Sequence, residues 1–266
     1  MISYENIYDK RVVEIDLIRG LALFLMLLQH LIFDLRFFFH LPILGFTDSI
    51  VFLDVLRPVV LVFFLICSGI SMRFSRNNFF HAFKLLLAAS LISLFTILVD
   101  RYFNLGIAVY FNILHLLALA IFIQALIEHF FLTKLSDKGR LAVFLVELFI
   151  VSLISSIISG IRLGFDFNYF YLAFGLYIND LPYMGDYLPF FPWSIFFVIA
   201  ILFAEIFYHN NKSLLSDTSK NQLLKNKSCR LFLLLGRNSL LIYLLHQPIF
   251  LVFIYILEFI LSFIKP

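Results

Sequence analysis

Seven apolar runs of about 20 residues each dominate the sequence. A helix rises about 1.5 Å per residue, so each run can cross the ~30 Å hydrocarbon core of a bilayer as an α-helix. A membrane β-barrel would instead show segments of about 10 residues that alternate in polarity. The runs therefore predict an all-α fold, a polytopic integral membrane helical bundle. The predicted spans are Leu17–Leu35, Ile50–Met72, Phe79–Val99, Ile107–Ile127, Leu141–Ile158, Trp193–Tyr208 and Ser239–Phe263.

The composition excludes several other classes of protein. Of the 266 residues, 62% are hydrophobic and 14% are charged, whereas soluble domains have about 45–50% apolar and about 25% charged residues. The net charge of +3 gives no reason to expect a nucleic-acid partner. Cys67 lies in an apolar run and Cys229 in a basic loop, so a disulfide framework is not expected. We therefore treat residues 1–266 as a single transmembrane domain in contact with the lipid bilayer.

The distribution of lysine and arginine predicts the orientation. The basic residues cluster before the first span and after the second, fourth and sixth spans, and cytoplasmic loops are the ones enriched in such residues. The N-terminus is therefore expected in the cytoplasm. The stretch Leu231–Arg237 is either a separate interfacial helix or an early start of the last span.

The first span carries the densest set of ionisable residues. Arg19 and His30 are eleven positions apart, which is about three helical turns, so they share one face and lie roughly 16 Å apart along the axis. Asp34 follows His30 by four residues and Asp16 precedes Arg19 by three, which adds both to the same face. A carboxylate beside an imidazole can fix its tautomer and raise its basicity. This face therefore indicates either a catalytic site or a hydrogen-bonded cluster that joins helices.

Other spans place polar residues at similar depths. Asp54 and Arg57 are near the outer end of the second span, His115 is in the outer half of the fourth, and His246 is near the middle of the last. With His30 and Asp34, these residues could form one polar site in the outer half of the membrane, where Asp54, Arg57, His115 and His246 would contact the substrate. The expected cytoplasmic end carries Arg19, Arg73, Arg76 and Arg237.

Those arginines suit an anionic donor. Guanidinium groups bind phosphates well, and a coenzyme A thioester carries several phosphate charges. Each arginine taken alone is better explained as a topology signal. The sequence has no phosphate-binding glycine loop, no dinucleotide-binding motif and no zinc-binding motif, and its scattered histidines do not predict a metal site.

Four segments resemble the transmembrane acyltransferase superfamily, and in particular bacterial proteins similar to the catalytic domain of heparan-α-glucosaminide N-acetyltransferase. They are RVVEIDLIRGLALFLMLLQHLIFDL at residues 11–35, FLDVLRPVVLVFFLICSGISM at 52–72, FNILHLLALAI at 111–121 and LGRNSLLIYLLHQPIF at 235–250, with Pro192-Trp193 before the sixth span. The first and last are the more specific. The chain departs from the usual pattern at Asn112, where many relatives have glycine.

The resemblance implies transfer of an acetyl or other acyl group from cytosolic acetyl-CoA or another acyl-CoA. The acceptor would be a hydroxyl or amine of an extracytoplasmic sugar or glycan. The superfamily requires the arginine and histidine that match Arg19 and His30, whereas the key histidine of animal members lies further along, nearest to His40. Either His30 or His40 would then be the general base, with Asp34 or Asp54 orienting it, and no metal would be needed. Direct transfer and an acyl-histidine intermediate are both open, as is a homodimer.

Two other classes of function compete with the acyltransferase. A proton-coupled transporter or permease would use the same intramembrane His and Asp groups as a relay, although the sequence shows no internal repeat. A scaffold with a vestigial site would keep the fold without binding coenzyme A.

Overall fold

The computed structural model describes residues 12–39, 42–103, 106–160, 169–176, 186–208 and 213–264. These residues contain ten α-helices and no strand. The helices are α1 Val13–Phe39, α2 Arg57–Met72, α3 Asn78–Phe103, α4 Ile113–Ile127, α5 Asp137–Gly160, α6 Tyr169–Phe174, α7 Phe190–Phe207, α8 Asp217–Lys225, α9 Lys227–Arg237 and α10 Ser239–Ile264. A 3₁₀ helix covers Pro42–Asp48, and π-helical turns cover Val51–Leu56 and Glu128–Leu132.

The prediction of an all-α membrane protein with seven spans is confirmed. Seven described segments are long and apolar enough to cross a bilayer. They are Val13–Arg36, Val51–Met72, Asn78–Phe103, Ile113–Phe130, Asp137–Gly160, Phe190–Phe207 and Ser239–Ile260. Many of their large apolar side chains are exposed, as expected of residues that face lipid.

The fourth span starts six residues later than the sequence indicated. Asn112 has an extended backbone, and its side chain accepts hydrogen bonds from the backbone N–H groups of Leu114 and His115. The ring of His115 accepts in return from the N–H of Asn112, which completes a capping box. Helix α4 therefore begins at Ile113, and the apolar residues from Ile107 onward precede the helix.

The last basic connection contains two short helices. Asn226 caps α9 by accepting from the N–H groups of Ser228 and Cys229. Asn238 alone separates α9 from α10, and its φ of −105° and ψ of 22° are not helical. Of the two interpretations left open for Leu231–Arg237, a separate helix is correct.

The chain divides into two compact units, the first formed by residues 1–67 and 212–266 and the second by residues 68–211. In the first unit, α1 packs along α9 and α10. Val13 and Leu233 are buried where α1 meets α9, and Leu17, Leu223 and Leu224 pack around them. The other end of α1 is held by Arg36, which donates to the hydroxyl of Thr47 and to the carboxylate of Asp48.

In the second unit, α3 packs on α4 and α5 packs on α7. The second span joins this packing at Gly69, where a Cβ would lie 2.7 Å from the Cβ of Ala200. Gly69 belongs to a Ser-Gly-Ile-Ser stretch at residues 68–71, and small residues of this kind allow helices to pack closely.

The short helix α6 is tied to the segment before α7. The hydroxyl of Tyr187 donates to the carbonyl of Leu172 over 2.7 Å, and the rings of Phe174 and Phe190 pack edge to face. Burial raises the pKa of the Tyr187 phenol to about 12. The phenol therefore stays protonated, and able to donate, well above neutral pH.

Candidate active site

The first unit brings two histidines from distant parts of the chain together. The imidazole rings of His30 in α1 and His246 in α10 stack, with centroids 5.0 Å apart and planes within 15° of each other. His30 is half-buried, and His246 is buried, with 7% of its surface exposed. We call this contact the histidine pair.

The protonation of His246 can be deduced from its partner. Its Nδ1 atom lies 2.5 Å from the carbonyl oxygen of Tyr243. Because a carbonyl can only accept a hydrogen bond, Nδ1 must carry the hydrogen. In the neutral ring, Nε2 then holds the lone pair, and an imidazole in this tautomer can accept a proton or attack a carbonyl carbon.

A second polar contact lies one helical turn from the histidine pair. The side-chain amide of Gln247 donates to both carboxylate oxygens of Asp34, over 3.2 and 3.1 Å. Two adjacent residues of α10 thus contact His30 and Asp34, which are four residues apart on α1. The helix period places those two residues on one face, and the structure shows that this face meets α10.

The proline after Gln247 changes the backbone at this point. Pro248 is inside α10 and has no N–H group to donate to the carbonyl of residue 244, so the helix lacks one of its regular hydrogen bonds beside the site. Such positions commonly bend a helix.

Arg19 is on α1 at the far end of the same span from the histidine pair. Its guanidinium donates to the carbonyl of Cys67 over 3.3 Å and lies 3.6 Å from the carboxylate of Asp16. Asp16 is buried, so this arginine is held by a fixed anionic partner.

Three other residues predicted for the outer site are Asp54, Arg57 and His40. Asp54 is exposed in the π-helical turn, and Arg57 is half-buried at the first position of α2. His40, the alternative to His30, lies outside the described residues.

His115 belongs to the second unit, where it completes the cap of α4. Its Nδ1 accepts from the backbone N–H of Asn112 over 3.3 Å, its Nε2 is 3.5 Å from the hydroxyl of Ser93, and its ring stacks on Phe111. These contacts give His115 a structural role. Its assignment to the substrate stays a prediction.

The arginines expected to bind the donor have different environments. Arg73 contacts the buried carboxylate of Glu205, which also accepts from Arg140 over 2.9 Å. The Nε of Arg73 donates to the carbonyl of Tyr208 over 3.2 Å. Arg76 and Arg237 are exposed. The structure therefore gives Arg73 a role in helix packing, while the assignment of these arginines to donor binding stays a prediction.

Sequence reasoning missed several polar residues inside the spans. Glu205 joins the ends of three segments, and Glu147 accepts a hydrogen bond from Gln124 within the second unit. The contact of Gln247 with Asp34 was not predicted either. A signal was available, because an acidic residue inside a membrane span is uncommon and costly. Among the described residues, no three His, Cys, Asp or Glu side chains are grouped as a metal site would require.

Comparison with known proteins decides the family. Residues 11–248 match the family described as heparan-alpha-glucosaminide N-acetyltransferase, catalytic. The chain belongs to this family. The heparan-alpha-glucosaminide N-acetyltransferase catalytic family comprises transmembrane acetyltransferases, which agrees with the seven apolar helices and confirms the resemblance seen in the sequence. The match contains Arg19, the histidine pair, Asp34 and Gln247. No curated protein and no solved structure matches the chain.

Proposed function

We propose that this member of the family moves an acetyl or other acyl group from cytosolic acyl-CoA to a hydroxyl or amine of an extracytoplasmic sugar or glycan. Residues 1–266 would act as one domain in a bacterial cytoplasmic membrane, with the N-terminus in the cytoplasm. The observation that carries the proposal is the stacking of His30 on His246 within the family match.

The histidine pair can perform both halves of an acyl transfer. In direct transfer, an imidazole takes the proton of the acceptor hydroxyl or amine. The oxygen or nitrogen of the acceptor meanwhile attacks the thioester carbonyl. The carbon–sulfur bond breaks, and the departing thiolate takes up a proton. In the two-step alternative, an imidazole nitrogen attacks the thioester first and the acceptor then displaces it. The second imidazole is near enough to act as the proton carrier in either case.

The neighbouring residues support these roles. Asp34, held by Gln247, is a fixed carboxylate one helical turn from His30 and would orient it, with Asp54 as the alternative that the sequence left open. Arg19 and the exposed Arg237 of the first unit would attract the donor phosphates. His40 remains the alternative base.

The test compares purified wild-type protein in detergent with His30→Ala, His246→Ala, His40→Ala and Arg19→Ala. His129→Ala is the matched control, since His129 is exposed in a π-helical turn. The two measurements are acetyl-CoA binding, and the release of free coenzyme A with glucosamine or another amino sugar as acceptor.

We expect His30→Ala and His246→Ala to bind acetyl-CoA and to lose transfer by about 10²–10⁴-fold, the usual contribution of a general base. Arg19→Ala should weaken binding. A folded wild-type protein that binds no acyl-CoA would contradict the proposal, and so would full transfer by all three histidine variants. Loss of transfer in His40→Ala alone would assign the base to His40. Incubation with donor alone would trap an acyl-enzyme only in the two-step route.

The same His and Asp groups would serve a proton-coupled permease, which is the competing function. Solute uptake into proteoliposomes without coenzyme A, abolished by His30→Ala, would favour it.

A further inference from the structure

The second unit contains a cavity of about 480 Å³ between α4, α5 and α7. Most of its lining is aliphatic or aromatic, and on α5 it runs from Val143 to Val151. These two residues are eight positions apart, so the cavity extends about 12 Å along the helix axis. Its volume is within the range of about 300–1,000 Å³ typical of small-molecule sites.

Three polar side chains interrupt this apolar lining. One carboxylate oxygen of Glu147 accepts from the amide of Gln124, and its Oε2 atom is buried without a hydrogen-bond partner among the described residues. The hydroxyl of Ser194, whose residue is 2% exposed, is likewise buried without one. Leaving a buried polar group without a hydrogen bond destabilises a protein, so both atoms point to a ligand that hydrogen-bonds there.

Water alone does not account for the cavity. A buried water needs about 2–4 polar partners, and most of the lining residues offer none. Cavities lined by aliphatic and aromatic side chains stay dry and bind apolar molecules. The occupant therefore needs an apolar body as well as a polar head.

The lining also indicates the charge of the ligand's head group and the route by which the ligand enters the cavity. Among the residues that the structure describes, no lysine or arginine lines the cavity, and Glu147 supplies a carboxyl group, so a phosphate or carboxylate head would have no cationic partner among them. Val146 and Ile150 are 57% and 47% exposed on a span whose outer residues are apolar. The rim therefore opens on the side from which a membrane lipid would enter.

We propose that this cavity binds an uncharged, single-chain lipid with a hydroxyl head, that is, a long-chain alcohol. Its hydroxyl would donate to Glu147 or accept from Ser194, and its chain would lie along α5 against the apolar lining residues. This inference does not depend on the proposed acyltransferase function.

The test uses the full-length protein in nanodiscs and a photoactivatable hexadecanol that carries a diazirine in its chain and a terminal alkyne. The comparison probe is the hexadecane analogue without the hydroxyl. Mass spectrometry maps the label, with Val151→Trp to fill the cavity. Leu153→Trp is the matched control, since it is half-exposed on the same helix and does not line the cavity.

We expect label on residues 143–151 in wild type and in Leu153→Trp, and its loss in Val151→Trp. The hydroxyl-free probe should label about tenfold less, the effect of one hydrogen bond of about 1.4 kcal/mol. Glu147→Leu combined with Ser194→Ala should remove that difference. Should Val151→Trp fail to fold, Ile150→Trp at the exposed rim replaces it. Unchanged labelling in a folded, filled variant would overturn the site, and equal labelling by both probes would overturn the hydroxyl head.

Discussion

Gly20 of α1 and Gly236 of α9 face each other where the two helices cross, and neither position has room for a side chain. A Cβ on Gly20 would lie 1.8 Å from the carbonyl oxygen of Phe232, and a Cβ on Gly236 would lie 1.8 Å from that of Asp16. Both obstacles are backbone atoms, which cannot move aside as a flexible side chain could. The crossing therefore requires glycine on both helices.

Replacing either glycine of this crossing should destabilise the protein. Gly20→Ala and Gly236→Ala force the helices apart, and we expect a loss of about 1–3 kcal/mol or more, as for other overpacked sites. Thermal unfolding in detergent measures the change. Gly45→Ala is the control because a Cβ there would lie within 4 Å of none of the described residues. Equal unfolding temperatures for all three variants would contradict the close crossing.

Removing the charge of Glu205 should also destabilise the second unit. Its side chain is 4% exposed and is shared by Arg73 and Arg140. Glu205→Gln leaves two guanidinium groups without their anion, and we expect a loss of about 3–5 kcal/mol, as for other broken buried pairs. Asp217→Asn is the control, since Asp217 is 97% exposed beside Lys220 and such pairs contribute little. A stable Glu205→Gln protein would show that the cluster is dispensable.

Gln247 should affect the rate of transfer more than the stability. Gln247→Leu removes the donor to Asp34, so the carboxylate would no longer be fixed one turn from His30. Provided that the proposed function holds, we expect coenzyme A release to fall about tenfold, while acetyl-CoA binding stays unchanged. Gln222→Leu, at an exposed position of α8, is the control. An equal loss of binding and rate would indicate general damage to the fold.

Tyr187 should make stability depend on pH in the alkaline range. Its pKa is about 12 in the folded protein against 10.0 for an ordinary tyrosine, so the unfolded chain releases this proton first. The contribution of Tyr187 is therefore complete below about pH 10 and is lost as the pH rises through about 12. Tyr187→Phe should remove this pH dependence and cost about 1 kcal/mol by losing the hydrogen bond to Leu172. Tyr102→Phe, at a residue 84% exposed, should do neither.

The sequence was sufficient for those features that depend on local periodicity. The seven spans and the shared face of His30 and Asp34 follow from run length and from the helix period. Hydropathy does not show where the fourth helix starts, because the residues before the Asn112 cap are also mostly apolar. The boundary was set by two side-chain hydrogen bonds rather than by composition.

Helix periodicity and hydropathy do not predict which side chains from distant parts of the sequence contact each other. His30 and His246 are more than 200 positions apart, and hydropathy gives a depth for each without giving the facing helix. Arg73 looked like a donor-binding residue because its partner Glu205 is 132 positions away. A charge in or near a span can be recognised from sequence, but its partner becomes known only from the packing.

The crossing of Gly20 and Gly236 lies at the same sequence distance from each histidine of the pair. His30 is ten positions after Gly20, and His246 is ten positions after Gly236. The second path passes from α9 to α10 through Asn238, whose backbone is not helical, whereas the first path stays within α1. Inserting one residue on either path would rotate one ring by about 100° and shift it by about 1.5 Å. The contact between the two imidazoles therefore depends on how α1 and α9 pack at Gly20 and Gly236.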